Sequence, residues 1–131
     1  MSSLEDCIFC SKKNCKIIKS TRFFFIMRDT AYPVTKHHTL IVTNRHVSSY
    51  FDLDKDEIAE LDKVIKQQKK ELINLDSNIS GFNIGVNIGE DAGQSIMHCH
   101  IHLIPRRKGD VEDPRGGVRG VIPSKQKYKK K

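Results

Sequence analysis

The chain has 131 residues, 37% of them hydrophobic and 30% charged, with a formal net charge of +7 at pH 7. This length predicts one domain with its own core, and the lack of a long apolar run or an export-signal pattern predicts a cytoplasmic protein rather than a membrane protein. Five lysines lie within the last seven residues. They predict a disordered basic tail over 124–131 after a domain spanning 1–123, and their confinement to the tail argues against a nucleic acid polymer as partner.

The first half of the chain predicts two strands separated by a loop. Residues 21–28 are rich in aromatic side chains and bounded by charge, which is typical of a strand. Residues 29–36 contain Pro33 and predict a turn or loop. Residues 38–43 predict a second strand.

The middle of the chain predicts one long amphipathic helix from residue 55 to about residue 75. Asp54 and Glu57 have the spacing of a capping box, with Asp54 as the N-cap. Apolar residues then recur at helical spacing with lysines opposite: Ile58, Leu61, Ile65 and Leu72. Further strands are predicted over 82–88 and 98–105. Strands on either side of one helix, with short connections, predict a single-domain α+β fold with an antiparallel sheet.

Three histidines alternate in the run His98-Cys99-His100-Ile101-His102. Successive side chains of a strand point to opposite faces, so the alternation predicts the three histidines on one face and Cys99 in the core. Imidazole changes its charge near neutral pH, binds metals and attacks phosphorus or carbonyl centres. The row therefore indicates a functional site.

A Gly-rich polar loop, residues 87–95, leads into the histidine row. Glycines allow backbone N–H groups to approach an anion closely, and the side chains of Gln94 and Ser95 add hydrogen-bond donors. This loop beside the histidines strengthens the interpretation as an anion-binding site.

Cys7 and Cys10 form a Cys-x-x-Cys knuckle. Two thiolates at this spacing can bind one tetrahedral ion together with two further ligands. The sequence has no second knuckle, so histidines would have to complete such a site. A redox pair, two unrelated thiols, and Cys15 as a ligand in place of Cys10 remain as alternatives.

The histidine run and its surroundings closely resemble the histidine triad (HIT) superfamily of nucleotide hydrolases and transferases. The resemblance is carried by Gly93-Gln94-Ser95-x-x-His98-x-His100-x-His102, by Leu103-Ile104-Pro105-Arg106, and by Pro33-Val34-x-x-x-His38-Thr39-Leu40-Ile41-Val42 with Arg45-His46. The ending, with Gly109-Asp110, Gly116-Gly117-Val118-Arg119 and Ile122-Pro123, resembles the branch that includes diadenosine polyphosphate hydrolases. One departure is Lys36-His37 where the family usually has Pro-Gly, which predicts an altered local turn.

The resemblance implies a sheet of about five strands, a homodimer and a structural zinc ion. Its implied ligands are Cys7, Cys10, His46 and His98. A closed set of two thiolates and two imidazoles leaves no coordination position for water, so the ion would be structural rather than catalytic. Whether Mg²⁺ accompanies the substrate stays open.

The resemblance also implies roles in a nucleotide hydrolase, a phosphoric anhydride hydrolase that cleaves at the α-phosphate. His100 is the candidate nucleophile, which would form a nucleotidyl-histidine intermediate. His102 would contact phosphate and assist the leaving group, with His98 as first member of the triad and His38 as a supporting histidine. Gln94 and Ser95 would donate to the phosphates. The implied nucleoside contacts are Ile8, Phe9, Asp29 and Asn87.

Diadenosine polyphosphates and related adenine nucleotides are the favoured substrates, and four alternatives remain open. A nucleoside phosphoramidase and a nucleotidyltransferase of the same superfamily would share the first chemical step. A non-catalytic, zinc-containing protein would bind nucleotide without turning it over. A catalytic metal held by the three histidines themselves is the fourth, and it requires that His98 is not a ligand of the knuckle site.

Overall fold

The computed structural model describes residues 7–13 and 15–128. These form one α+β domain, as the sequence predicts. The helices are α1 (Ile8–Ser11) and α2 (Lys55–Leu75). The strands are β1 (Ile17–Ser20), β2 (Phe24–Arg28), β3 (Thr39–Thr43), β4 (Ile79–Val86) and β5 (His100–Arg107). They form one sheet in the order β1-β2-β3-β5-β4 with every neighbouring pair antiparallel.

The long helix α2 has the predicted bounds and the predicted cap. The Asp54 carboxylate accepts from the backbone N–H of Glu57, and the Glu57 carboxylate accepts from the backbone N–H of Asp54. This reciprocal pair satisfies two N–H groups that the first turn of a helix leaves without partners. Within the described residues, no helix is both long and apolar enough to traverse a membrane.

Two predicted strand starts differ from the structure. β2 begins at Phe24 rather than residue 21, because Thr21 and Phe23 both donate to the Glu60 carboxylate and turn the chain out of β1. β5 begins at His100 rather than residue 98. β1 was not predicted: it is a four-residue edge strand in which half-buried and exposed residues alternate.

The two faces of the sheet carry separate cores. On one face, α2 contributes Leu61 and Val64 to a core with Phe24, Ile41 and Ile101. On the other face, the N-terminal segment contributes Cys7 and Phe9 to a core whose sheet residues are Phe25, Met27, Leu40 and Val42. The N-terminal segment therefore covers the β2–β3 part of this second face and reaches the edge of β5 through Phe9.

The C-terminal segment, residues 110–127, reaches the other end of this second face. The Arg106 guanidinium donates to both Asp110 carboxylate oxygens and to the Asn83 side-chain oxygen. Residues Gly117–Val121 form a 3-10 helix and Pro123–Lys125 form another turn, while 129–131 of the predicted tail lie outside the described residues. The strip between the two covering segments contains His100, His102 and Gly85.

Candidate active site and metal centre

Four side chains bring their ligand atoms to one point at the N-terminal end of β5. They are Cys7, Cys10, His46 and His98, and their ligand atoms all lie within 4.8 Å of one another. The Nδ1 atom of His98 lies 3.3 Å from the Cys7 sulfur, 3.4 Å from the Cys10 sulfur and 3.2 Å from the His46 Nδ1. A tetrahedral zinc site places neighbouring donor atoms roughly 3.3–3.8 Å apart. The four residues named from the sequence thus form a cluster that could bind a metal.

Local structure explains how distant residues meet in this cluster. Cys7 is the N-cap of α1 and Cys10 lies three residues later, so the single helical turn directs both thiols to one side. His46 follows β3 and His98 precedes β5, and these two strands are neighbours in the sheet. Cys15 lies outside the cluster, where its thiol donates to the Ile8 carbonyl.

His98 has its tautomer fixed for metal binding. Its Nε2 atom lies 2.7 Å from the Thr43 carbonyl oxygen. A carbonyl only accepts, so Nε2 carries the proton and the Nδ1 lone pair faces the two thiols. Without a cation, burial raises the pKa of the Cys10 thiol to about 11, so metal binding would release protons.

His98 lies two residues before the start of β5, so the predicted strand over 98–105 begins too early, while Cys99 packs in the core as expected. His98 is only 1% exposed, and the backbone N–H of the next residue, Cys99, donates to the Val47 carbonyl. The Nδ1 of His98 faces the two cluster thiols and its Nε2 donates to the Thr43 carbonyl, so neither nitrogen is directed at His102. This geometry disfavours a metal held jointly by His98, His100 and His102.

His100 and His102 do share the predicted face, with ring centroids 5.2 Å apart. The Nδ1 of His100 donates to the His98 carbonyl at 2.7 Å. Its Nε2 is therefore the unprotonated nitrogen, and within the described residues it makes no hydrogen bond. Burial lowers the pKa of His100, which keeps the ring neutral near pH 7.

A second chain of hydrogen bonds fixes His102. The Val34 backbone N–H donates to Nδ1 of His38 at 3.1 Å, so the proton of neutral His38 is on Nε2. That Nε2 lies 2.9 Å from Nδ1 of His102 and donates to it. The remaining proton of His102 is thus on its own Nε2. Burial, with smaller contributions from His100 and His38, lowers the pKa of His102 to about 4.

Of the two side chains expected to bind phosphate, Ser95 is exposed and Gln94 is buried. Ser95 is exposed on the loop before His98. Gln94 is buried: its amide N–H groups donate to the Ser48 and Ile96 carbonyls, and its oxygen accepts from Gly89 N–H. Both amide protons are bonded to backbone carbonyls outside the loop, so Gln94 fixes the position of the loop, and its expected donation to phosphate would require breaking one of these bonds.

The residues expected to bind the nucleoside also differ in their exposure. Phe9 is 2% exposed, with its ring centroid 5.0 Å from that of His100, whereas Ile8 is 52% exposed. Asp29 accepts from the backbone N–H groups of Ala31 and Tyr32 through one carboxylate oxygen. Its other oxygen lies 3.9 Å from Nδ1 of His38. Asn87 is half-buried beyond the end of β4.

The turn before His38 keeps a left-handed residue although glycine is missing. His37 has φ +71°, a region that glycine enters without strain and that histidine enters more readily than most residues. Its carbonyl accepts from the Thr39 hydroxyl at 2.8 Å. The turn thus retains a positive φ at the position where Lys36-His37 departs from Pro-Gly.

Sequence reasoning missed Val34 and Thr43, whose backbone groups fix the protonated nitrogens of His38 and His98. A backbone N–H or carbonyl is present at almost every residue, so the sequence carries no signal that singles these two out.

A model of the HIT domain family matches residues 11–109. The chain belongs to the HIT domain family. Among solved structures, a Zn-bound histidine triad family protein from Mycobacterium smegmatis superposes with a TM-score of 0.75 at 26% identity, covering 85% of this chain and 82% of that one.

Named relatives include three enzymes. The chain is 31% identical over 119 residues to an adenosine 5′-monophosphoramidase of Candida albicans, covering 82% of this chain and 74% of that protein. It is 40% identical over 81 residues to an AP-4-A phosphorylase of Mycobacterium tuberculosis and 33% identical over 81 residues to the asymmetrical bis(5′-nucleosyl)-tetraphosphatase of Schizosaccharomyces pombe. These matches cover 61% and 62% of this chain but only 41% and 44% of those two longer proteins.

Proposed function

We propose that this protein hydrolyses adenine dinucleotides, with diadenosine polyphosphates as the favoured substrates, by attack of His100 on the α-phosphate. The observation that carries the proposal is the hydrogen bond from Nδ1 of His100 to the His98 carbonyl. It leaves Nε2 as a lone-pair nitrogen on the strip of the sheet that neither covering segment occupies. A neutral imidazole held in this way is a competent nucleophile near neutral pH.

The reaction proceeds in two displacements. In the first, Nε2 of His100 forms a bond to the α-phosphorus while the bond from that phosphorus to the bridging oxygen breaks. The Nε2–H group of His102 donates a hydrogen bond to the departing oxygen, which leaves as part of the polyphosphate anion and keeps the electron pair of the broken bond. In the second, water attacks the phosphorus, the phosphorus–nitrogen bond breaks, and the water proton passes to solvent, so a mononucleotide leaves and Nε2 of His100 is again free.

The surrounding residues bind the substrate in this scheme. The backbone N–H groups of the loop before His98, together with Ser95, face the negative charge that spreads over the phosphate oxygens. Ile8 and Phe9 flank the base, while Asp29 and Asn87 accept and donate hydrogen bonds at the ribose. Mg²⁺ can accompany the polyphosphate as part of the substrate.

The four-residue cluster binds structural zinc in this proposal. Its set of two thiolates and two imidazoles matches the ligands that Zn²⁺ prefers, and Zn²⁺ occurs in a related structure. The ion would link the N-terminal segment to β3 and β5. We also propose a cytoplasmic homodimer, for which the edge strand β4, with Ile84 half exposed, offers a pairing surface.

Product analysis with diadenosine tetraphosphate in ¹⁸O-labelled water tests the reaction. Hydrolysis should release AMP and ATP, with the label in AMP because water attacks the α-phosphorus. His100→Ala should abolish release, whereas His37→Asn, which removes an imidazole outside the site and tolerates the left-handed turn, should not. Turnover by a folded His100→Ala protein would contradict the proposal.

A phosphoramidase is the second candidate, and it is supported by the named relative from Candida albicans. Two substrates distinguish the candidate activities: adenosine 5′-phosphoramidate and diadenosine tetraphosphate. Each is assayed at the same concentration, with and without inorganic phosphate. AMP from the phosphoramidate identifies a phosphoramidase, ADP formed only with phosphate identifies a phosphorylase, and nucleotide binding without any product identifies a non-catalytic binding protein.

A further inference from the structure

A cavity of about 770 Å³ lies between the C-terminal segment and the sheet. Its floor includes Ile104 on β5 and Asn83 on β4, and its outer wall includes Val118 and Val121. The volume falls within the range of about 300–1,000 Å³ that is typical of pockets for small organic ligands. None of the proposed roles described above uses this cavity.

The cavity is continuous with the histidine site. Ile104 follows His102 by two residues on β5, so both side chains project from the same face. Val34, which also lines the cavity, donates its backbone N–H to His38. Opposite His102 on β4 lies Gly85, where even a Cβ atom would meet no other atom within 4 Å. An extended ligand bound at His102 can therefore continue across Gly85 into the cavity.

The charges of the cavity disfavour a bare phosphate as its occupant. Arg106 is already paired with Asp110 through two hydrogen bonds and with Asn83 through a third. The Lys127 ammonium lies 3.6 Å from the Asp113 carboxylate. With these cations neutralised and with Ile104, Val118 and Val121 exposing apolar surface, the cavity suits an uncharged ring with hydrogen-bonding edges.

The outer wall is stabilised by its own hydrogen bonds. The Arg119 guanidinium donates to the Lys125 and Gln126 carbonyls. Gly116 has φ +93°, and a Cβ atom there would collide with the Gln126 carbonyl, so the wall requires glycine at this position. The wall lies beyond residues 11–109, which the family model matches.

We infer that the cavity binds the second nucleoside of a dinucleotide substrate, on the leaving-group side of His102. The inference rests on the proposed function and adds the place where the second nucleoside of the substrate binds. The first nucleoside then lies toward Phe9, the phosphate chain crosses His100 and His102, and the second base contacts Ile104 and Val118.

Binding to the His100→Ala protein tests this inference without turnover. Calorimetry compares diadenosine tetraphosphate with adenosine tetraphosphate, which lacks only the second adenosine. We expect the dinucleotide to bind about tenfold more tightly, which corresponds to 1.4 kcal/mol. Adding Ile104→Trp or Val118→Trp fills the cavity and should bring the ratio of the two dissociation constants close to one. Adding Ile18→Trp enlarges a partly exposed isoleucine on the distant strand β1 and should preserve the ratio.

The outcomes separate the two proposals. Equal affinity for both nucleotides, or a preference that survives both cavity variants, would overturn the second-nucleoside site and leave the proposed hydrolase standing. Binding of neither nucleotide to the folded protein would overturn both. Val118 is 62% exposed, so Val118→Trp remains informative if the strand variant at Ile104 does not fold.

Discussion

The Nε2 atom of His38 lies 2.9 Å from the Nδ1 atom of His102, and the Val34 backbone N–H occupies the other nitrogen of His38. This pair determines which nitrogen of His102 carries a proton. The proposed hydrogen-bond donor to the leaving group therefore depends on a histidine from a different part of the chain.

Replacing His38 tests this dependence. His38→Ala removes the donor to His102, so we expect kcat for the dinucleotide to fall by about 10²-fold with a smaller change in KM, as for loss of a positioned hydrogen-bond donor. His38→Gln keeps a side-chain N–H and should retain more activity than His38→Ala. An unchanged kcat in a folded His38→Ala protein would contradict the assigned tautomer of His102.

Stability should depend on the protonation of His102. Its pKa in the folded protein is about 4, below the ordinary value of 6.5, so between these pH values the unfolded chain binds a proton that the folded chain does not. The titration of His102 therefore leaves the free energy of unfolding unchanged above pH 6.5 and lowers it as the pH falls toward 4.

Urea unfolding from pH 7 to pH 4 measures this effect. The free energy of unfolding should decrease over that interval, and His102→Gln should show a smaller decrease because it removes one titrating group. Parallel curves for the two proteins would contradict the lowered pKa of His102.

Metal analysis tests the four-residue cluster. We expect one zinc ion per chain, and Cys10→Ser should lose it because serine is a poor zinc ligand. Cys15→Ser is the matched control, since Cys15 bonds to the Ile8 carbonyl outside the cluster. Loss of zinc should also lower the melting temperature by about 5 °C or more, because it frees the segment that holds Phe9. Equal metal content in the two variants would place the metal elsewhere.

The turn before His38 predicts a stabilising substitution. His37 has φ +71°, and glycine removes the steric cost of the left-handed region, so His37→Gly should raise the free energy of unfolding by up to about 1 kcal/mol. His37→Val should lower it, because a β-branched side chain is strained there. The midpoints of denaturant unfolding are compared for the native protein, His37→Gly and His37→Val. A midpoint for His37→Val at or above that of the native protein would refute the argument.

Local patterns predicted the elements that local interactions stabilise. The capping box and the helical spacing of apolar residues act between residues three or four positions apart. They are therefore visible in the sequence, which predicted α2 at Lys55–Leu75 correctly. β1 was missed because four alternating residues at a sheet edge resemble a polar loop. The predicted starts of β2 and β5 were too early. The backbone N–H of Phe23 donates to Glu60 and that of Cys99 donates to Val47, and these partners, distant in sequence, hold both residues outside the strands.

The sequence by itself determined which chemical groups this protein carries: the knuckle thiols, the alternating His100 and His102, and the Gly-rich loop before them. Only the tertiary structure decided how those groups are used. Alternation alone grouped His98 with its neighbours, but the folded chain directs its lone pair to Cys7 and Cys10 and gives its carbonyl to His100. The physical reason is that the proton of an imidazole follows its hydrogen-bond partner, and these partners are backbone groups that only folding brings within reach.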